Sequence, residues 1–262
     1  MLELKNIYKT YDASLPTQNE LFIGLNFGVD KGEFVSIVGS NGSGKTTLLN
    51  IIAGTVGLDR GSIRILNRDV TKLKEHQRAR YIARVFQDPK MGTCPIMTVA
   101  ENLAMAARKG KSYGLNICLK KKDKPRFREM LRVLNMGLEN KLDVLAGQLS
   151  GGQRQALALL MATEAKPDLL LLDEHTAALD PRTSAHIMDL TQKIVTEQGI
   201  TTLMVTHNLA FALGYGSRLT MLHAGNVLFD VGEEQKKLQT IDGLIDKFHQ
   251  AQGAVSDTMV FT

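Results

Sequence analysis

The chain has 262 residues, 44% of them hydrophobic and 23% charged, with 32 Lys+Arg against 27 Asp+Glu and a net charge of +5. That is the length of one large domain or two small ones and the composition of an ordinary globular chain, which excludes disorder throughout. A membrane-spanning helix is excluded as well: the longest run without a formal charge, Gln198 to Ser217, carries Thr201, Thr202, Thr206, His207 and Asn208, whereas a span needs roughly 20 predominantly apolar residues.

Residues 2–8 and 21–29 place apolar side chains near alternate positions and predict short strands. Phe34-Val-Ser-Ile-Val38 predicts a buried strand that runs into a glycine loop, Gly39 to Gly44, and then a helix over Lys45 to Ala53. Further strands are expected at Ile63-Arg-Ile65 and around Val85-Phe86, and helices over 99–107 and 126–140. In the second helix Phe127, Met130, Leu131 and Leu134 share one face. Gln153 to Ala165 predicts a helix, Leu169-Leu-Leu-Leu172 a continuous apolar strand, 182–197 a helix and 201–205 a strand. Arg218 to Val231 reads as a hairpin turning at Ala224-Gly225-Asn226. Apolar strands alternating with helices predict an α/β sheet buried on both faces, interrupted by a helical subdomain over about 88–165.

The opening Met1-Leu-Glu-Leu-Lys5 lacks the apolar core of a signal peptide, so a cytosolic chain is expected. Cys94 and Cys118 fit no CxxC or zinc spacing and read as free thiols. Charge is uneven: between Arg108 and Arg128 nine Lys/Arg face one acid, Asp123, so this segment carries +8 and the remainder −3. The patch reads as a solvated linker, a surface for anionic lipid headgroups, or a nucleic-acid contact. Only Tyr113 and Phe127 interleave its charges, too few for a base-stacking platform.

Three motifs carry chemistry. Gly39-Ser-Asn-Gly-Ser-Gly-Lys45-Thr46 is a full GxxxxGK[ST] phosphate loop between a predicted strand and a predicted helix. Its glycines let backbone N–H groups turn around phosphate oxygens, and the helix adds its positive end. Lys45 is placed to neutralise the outer phosphates and the Thr46 hydroxyl to ligate Mg²⁺. The apolar strand ending in Asp173-Glu174 delivers one carboxylate for Mg²⁺ and a second to polarise a water. Leu149-Ser150-Gly151-Gly152-Gln153, just before a helix, is a second anion site. One chain already holds a phosphate loop, so the second site points to a partner subunit.

Phosphate loop, Gln87 in Phe86-Gln-Asp-Pro89, LSGGQ, the hydrophobic-Asp-Glu strand, Ala178-Leu-Asp180 and His207 occur in the order and spacing of an ABC-type ATPase. The resemblance runs from Tyr11 to the hairpin near residue 230. It implies a P-loop NTPase fold with a RecA-like sheet core, an antiparallel β subdomain and an inserted α-helical subdomain, the ATPase domain covering 1–240 and a tail 241–262. It implies that Tyr11 stacks on adenine and that Ser40, Asn41, Gly42, Ser43, Gly44, Lys45, Thr46 and Thr47 bind the phosphates of ATP. Thr46 and Gln87 match the Mg²⁺ ligands, with Asp173 contacting the metal through water. Glu174 matches the catalytic base and His207 the γ-phosphate sensor. Ser150, Gly151, Gly152 and Gln153 match the signature that closes over the opposite subunit's nucleotide, and Asp180 the loop that communicates across the dimer.

The family pattern has Pro and Ser where His175 and Ala177 stand. His175 reads either as a tolerated surface substitution or, with Val205-Thr-His-Asn208 and the Phe86-Gln-Asp-Pro stretch, as part of a resemblance to bacterial tryptophan/tyrosine-type importers. That implies a homodimer on the cytoplasmic face of the inner membrane, transmembrane permease subunits, a solute-binding protein, and no nucleic acid. A nucleoside, phosphonate or other small-solute system stays open as the cargo, and a separate-subunit exporter or a soluble ABC-type ATPase are the alternatives. The 128 positions from Lys45 to Asp173 show no sustained heptad repeat, which weighs against the DNA-repair branch. Met91, Met97, Val99 and the helix bearing Met105 form either an adaptable groove for a membrane subunit or interior packing.

Overall fold

The computed structural model describes residues 1–11, 19–109 and 119–260. Cys118 and the 110–118 stretch of the basic segment lie outside them; Cys94 is a free thiol. The chain divides into two units, Met1–Arg78 with Thr201–Thr262, and Ala79–Ile200.

In the first unit, strands β1 (Leu2–Tyr11) and β2 (Asn19–Val29) pair antiparallel, and β4 (Arg60–Ile65) and the two-residue β5 (Arg68–Asp69) extend the sheet in the order β2-β1-β4-β5. β3 (Phe34–Gly39) is flanked by parallel β8 (Thr201–Val205) and β9 (Arg218–His223). β3 is buried on both sides, the pattern of a central parallel strand. β9 turns back into β10 (Asn226–Val231) through Ala224 and Gly225, both at positive φ; the hairpin is the expected one, but Asn226, placed in its turn by the sequence, is already paired with His223 in the strand.

Helix α1 (Lys45–Ala53) follows β3 and ends at Gly54 in the left-handed conformation. Its last carbonyls receive the guanidinium of Arg78 on α2 (Glu75–Arg78). Nη1 donates to Ile51 O and Ile52 O at 2.7 and 2.8 Å, while Nε and Nη2 donate to Leu73 O and Thr71 O, both at 2.9 Å. A buried cation at a helix C-terminus thus satisfies carbonyls that have no partner within the helix.

In the second unit β6 (Ile82–Val85) pairs parallel with β7 (Leu169–Asp173). Helices α3 (Val99–Ala106), α4 (Lys124–Arg132), α5 (Gly151–Glu164) and α6 (Pro181–Gln198) make up most of the rest. α4 is shorter than the helix expected over 126–140. Asn135 and Gly137 both adopt positive φ, 50° and 70°, which a continuing helix excludes. The apolar pattern outlasts the helix: Phe127, Leu131 and Leu134 are all buried. The flanking basic residues are engaged locally: Lys109 Nζ donates to Ile82 O at 2.9 Å, Lys124 pairs with Asp143, and Arg126 with Glu164.

After β8 come α7 (Leu209–Gly214), α8 (Glu233–Lys237) and α9 (Ile241–Val260). No element is expected from the sequence analysis above beyond residue 232. Leu244 of α9 is nevertheless buried with Val38, Ala212, Leu219 and Met221, and Phe248 packs against that cluster.

Two expectations are corrected. Val99 cannot line an exposed groove, because it is fully buried at the start of α3. Met91, Ile96, Met105 and Leu145 are instead the exposed apolar side chains of that region. His175 is not a surface substitution: it is 2% exposed. Thr191 Oγ1 on α6 donates its single proton to Ile187 O at 2.7 Å, so at 3.2 Å it accepts from His175 Nε2, which fixes the tautomer. The chain leaving β7 is thereby tied to α6.

Burial pushes the His175 pKa down to about 4, from an ordinary 6.5. The unfolded chain protonates this group on falling below pH 6.5 and the folded chain does not until about pH 4, so stability falls as pH falls through that window. The contribution is at most about 1.4 kcal/mol per pH unit. Urea unfolding at pH 4.5 and 6.5 is expected to show a smaller difference for His175→Gln than for the wild type; an unchanged difference would show that His175 does not carry this dependence.

Candidate active site

The phosphate loop is shaped by close approach. A Cβ on Gly39 would lie 2.3 Å from Leu222 O and 2.6 Å from Ser43 Oγ, so only glycine fits where β3 ends. Gly44, at φ 100°, starts α1 with its Cα against the Phe22 ring. Lys45 is 7% exposed and folds back over the loop, Nζ donating to Gly39 O at 2.8 Å and Ser40 O at 2.9 Å. Ser43 Oγ is buried with no hydrogen-bond partner among the described residues. A buried hydroxyl without a partner is costly. Together with the first amides of α1, it makes the cradle fit a phosphate oxygen.

His207 follows β8 and is exposed. With Val38, Gly39, Ser40, Leu209 and Phe248 it lines a cavity of about 210 Å³. The turn that carries it is built locally: Thr206 Oγ1 accepts from Asn208 N at 3.0 Å, and Asn208 Oδ1 caps α7 by accepting from Phe211 N at 3.0 Å. The first unit thus brings the phosphate loop and His207 together. Tyr11 ends β1 with an exposed ring, and Lys9 Nζ stands 5.6 Å from its centroid. Lys9 is held in turn by Asp59 at 3.1 Å. An exposed aromatic with a cation at its face is a surface on which a base can stack.

In the second unit Gln87 and Asp173 stand at the C-terminal ends of neighbouring parallel strands, β6 and β7, where α/β sheets place ligand-binding groups. Gln87 is exposed. Asp173 is buried and ion-paired with Arg84 Nη2 at 2.5 Å. Glu174 adopts φ 45°, a left-handed conformation that is strained for a residue other than glycine. Its carbonyl accepts from Ala177 N at 2.9 Å, closing the turn after the strand.

Ser150 caps α5. Its hydroxyl accepts from Gln153 N at 3.2 Å while Gln153 Oε1 accepts from Ser150 N at 3.4 Å. Gln153 is further held by Lys141 Nζ and by Met136 O, both at 3.1 Å. Gly152 has no room for a side chain, since a Cβ would lie 2.3 Å from Thr183 Cγ2 of α6. The first-turn amides of Gly151 and Gly152 point out of a 14-residue helix, an anion-binding end. Asp180 caps α6, accepting from Thr183 N at 3.0 Å; the Thr183 bonds hold its carboxyl below the usual carboxylate range.

Taken one by one, the donors are of the right chemistry for the groups expected there. Thr46 hydroxyl, Gln87 amide oxygen and Asp173 carboxylate are hard oxygen ligands, the kind Mg²⁺ takes. Three supporting contacts are not evident in the sequence, although Gly225 itself is expected in the hairpin turn. Gly225 N, in the β9–β10 turn, donates to Ser43 O at 3.2 Å and steadies the phosphate loop. Gln155 Nε2 on α5 donates to Phe86 O at 3.2 Å, fixing the residue before Gln87. Arg84 reaches Asp173. None belongs to a short motif; the one available signal was a charged residue within a strand that is otherwise apolar.

The ABC transporter family profile matches residues 22–177. A tyrosine transport ATP-binding protein of Clostridioides difficile is 48% identical over 251 residues, 96% of this chain and 100% of the relative. A spermidine/putrescine import ATP-binding protein of Haemophilus influenzae is 35% identical over 88% of this chain, which spans 57% of that relative's length. Among solved structures, a dimeric ATP-binding cassette in a post-hydrolysis state with ADP and Pi aligns at TM-score 0.75 with 31% identity, covering 88% of this chain and 98% of that one. A cassette in its ADP conformation aligns at 0.75 with 29% identity over 90% and 93%. The strand–loop–helix cradle, the carboxylate strand and these similarities agree: the chain belongs to the ABC transporter family, as an ATP-binding subunit with the P-loop NTPase fold that hydrolyses ATP.

Proposed function

We propose that this chain energises a bacterial importer of a small solute, an aromatic amino acid, as one of two ATPase subunits bound to membrane permeases and served by a solute-binding protein. The ATPase domain spans 1–240 in this reading, with the helical subdomain over about 88–165. The observation that carries the reading is the phosphate cradle: Lys45 over the loop and a buried Ser43 hydroxyl without a hydrogen-bond partner among the described residues. The solute class rests on the 48% identity to the tyrosine transport protein. Among the described residues no helix is long and apolar enough to cross a membrane. The exposed Met91, Ile96, Met105 and Leu145 supply an apolar surface for a membrane subunit, methionine adapting to an irregular partner. The chain would sit at the cytoplasmic face of the membrane.

In this reading Tyr11 stacks on the adenine, and Ser40 to Thr47 wrap the phosphates with main-chain N–H groups. Lys45 exchanges its loop carbonyls for the outer phosphates. Thr46, Gln87 and Asp173 would hold Mg²⁺, which supplies charge neutralisation of the phosphates when bound. Glu174, aimed by its strained backbone, accepts a proton from the attacking water. His207 holds that water and the γ-phosphate. Ser150 to Gln153 of a second chain close over the same nucleotide, and Asp180 relays between the two. Most of the catalysis is positioning and charge stabilisation, as expected for phosphoryl transfer to water.

Two variants test these roles. Glu174→Gln is expected to bind ATP with near-normal affinity while turnover falls by about 10² or more, the usual scale for loss of a general base. Turnover close to wild type would remove Glu174 from the mechanism. Lys45→Ala is expected to weaken ATP binding in a fluorescent-nucleotide titration by about tenfold or more, as for loss of a charge-assisted contact. Unchanged affinity would count against the phosphate-loop assignment.

A further inference from the structure

Asp173 is the only carboxylate that β7 carries, at the tip of four leucines, and it is 8% exposed. A buried carboxylate needs a cation or several donors. Here the cation comes from within the chain. Arg84 stands on the neighbouring parallel strand, in register with Leu171, and its Nη2 donates to Asp173 Oδ2 at 2.5 Å. The two side chains are only 12% and 11% exposed. The guanidinium is held from a second side, since Arg84 Cζ lies 4.8 Å from the centroid of the Phe86 ring, and the Phe86 carbonyl is fixed by Gln155. Arginine, planar and always charged, suits such a stacked and paired position.

We propose that Arg84 is an internal counter-ion for the Asp173 carboxylate, a positioning residue that sets how much Mg²⁺ the chain needs to take up nucleotide. The inference rests on the reading that Asp173 serves Mg²⁺. Two cations drawn to one carboxylate oppose each other, and in a poorly solvated site that opposition is large. Arg84 keeps the buried carboxylate paired and stable before Mg²⁺-nucleotide arrives, and it lowers the affinity of the carboxylate for Mg²⁺ by the same interaction. The result is a chain whose nucleotide uptake responds to Mg²⁺ at higher concentrations than an unopposed carboxylate would.

The test is a Mg²⁺ titration of fluorescent-ATP binding to the full chain, with thermal melting in EDTA as a second readout. Arg84→Gln keeps a hydrogen-bond donor and removes the charge. It is expected to lower the half-saturating Mg²⁺ concentration by roughly tenfold, the scale of one opposing charge near a metal ligand, and to lower the melting temperature in EDTA more than in Mg²⁺ and ATP. Phe86→Leu loosens the stack without touching the ion pair and is expected to shift the midpoint the same way by about twofold; it serves if Arg84→Gln folds poorly. Asp173→Asn is expected to raise the midpoint, and Arg84→Gln in that background to produce a clearly smaller shift than in the wild type, since only the direct repulsion of Mg²⁺ by Arg84 is left to remove. An unchanged or raised midpoint in Arg84→Gln and Phe86→Leu, with Asp173→Asn still raising it, overturns the proposal alone. An equal shift of Arg84→Gln with and without Asp173 also overturns it. A midpoint indifferent to Asp173→Asn overturns the assignment of Asp173 to Mg²⁺ and the proposal with it.

Discussion

The junction between β3 and α1 is the constraint on which the rest of the structure depends. A strand buried on both faces must end, turn and start a helix within a few residues, leaving main-chain N–H groups pointed at one place. Gly39 has no space for a Cβ, Gly44 sits at φ 100° against Phe22, and Gly225 N ties Ser43 O to the β9–β10 turn. Each contact fixes the loop from outside, so its donors are oriented before a phosphate arrives. That pre-organisation lets backbone dipoles act without reorganising at the moment of reaction.

A second theme is how this chain holds charge in places with little water. Lys45 rests on two loop carbonyls, Arg78 on the carbonyls around the end of α1, and Arg84 on Asp173. Each cation is paired with oxygen, which is what makes its burial tolerable. Lys45 and Arg84 differ from Arg78 in lying beside groups assigned to nucleotide and metal.

The strands were largely legible in the sequence because buried parallel strands are continuous apolar runs, and β3, β7 and β8 carry little else. The strand–loop–helix over 34–53, the helix start after Ser150 and the apolar strand ending at Asp173 were legible because glycine turns, capping residues and apolar runs are local signals. What the sequence hid depends on side chains meeting across the fold. The early end of α4 comes from backbone turns at Asn135 and Gly137, while the apolar period that suggested a longer helix runs on to Leu134. His175 could be read as a surface substitution or as a feature of a subgroup; its burial, with Thr191 of α6 as hydrogen-bond partner, excludes the first. The start of α9 was legible and overlooked, since Ile241, Leu244, Ile245 and Phe248 fall at i, i+3, i+4 and i+7; the burial of Leu244 with Val38 is a long-range contact that no local rule reports. Arg78, Gln155 and Arg84 act on carbonyls or carboxylates distant in the chain, and nothing in their neighbours' identity signals it.

In our reading a single chain offers one full phosphate cradle, residues 40–47, and one helix end, residues 150–153, suited to a phosphate already held elsewhere. Two copies are needed to use both. The most direct measurement is a crystal structure, with scattering in solution, of Glu174→Gln saturated with Mg²⁺ and ATP. The account predicts a symmetric pair of chains with two nucleotides, each triphosphate in the 40–47 loop of one chain and against Ser150, Gly151 and Gly152 of the other. Separate chains, each with nucleotide in its own loop and a solvent-facing signature, would contradict it.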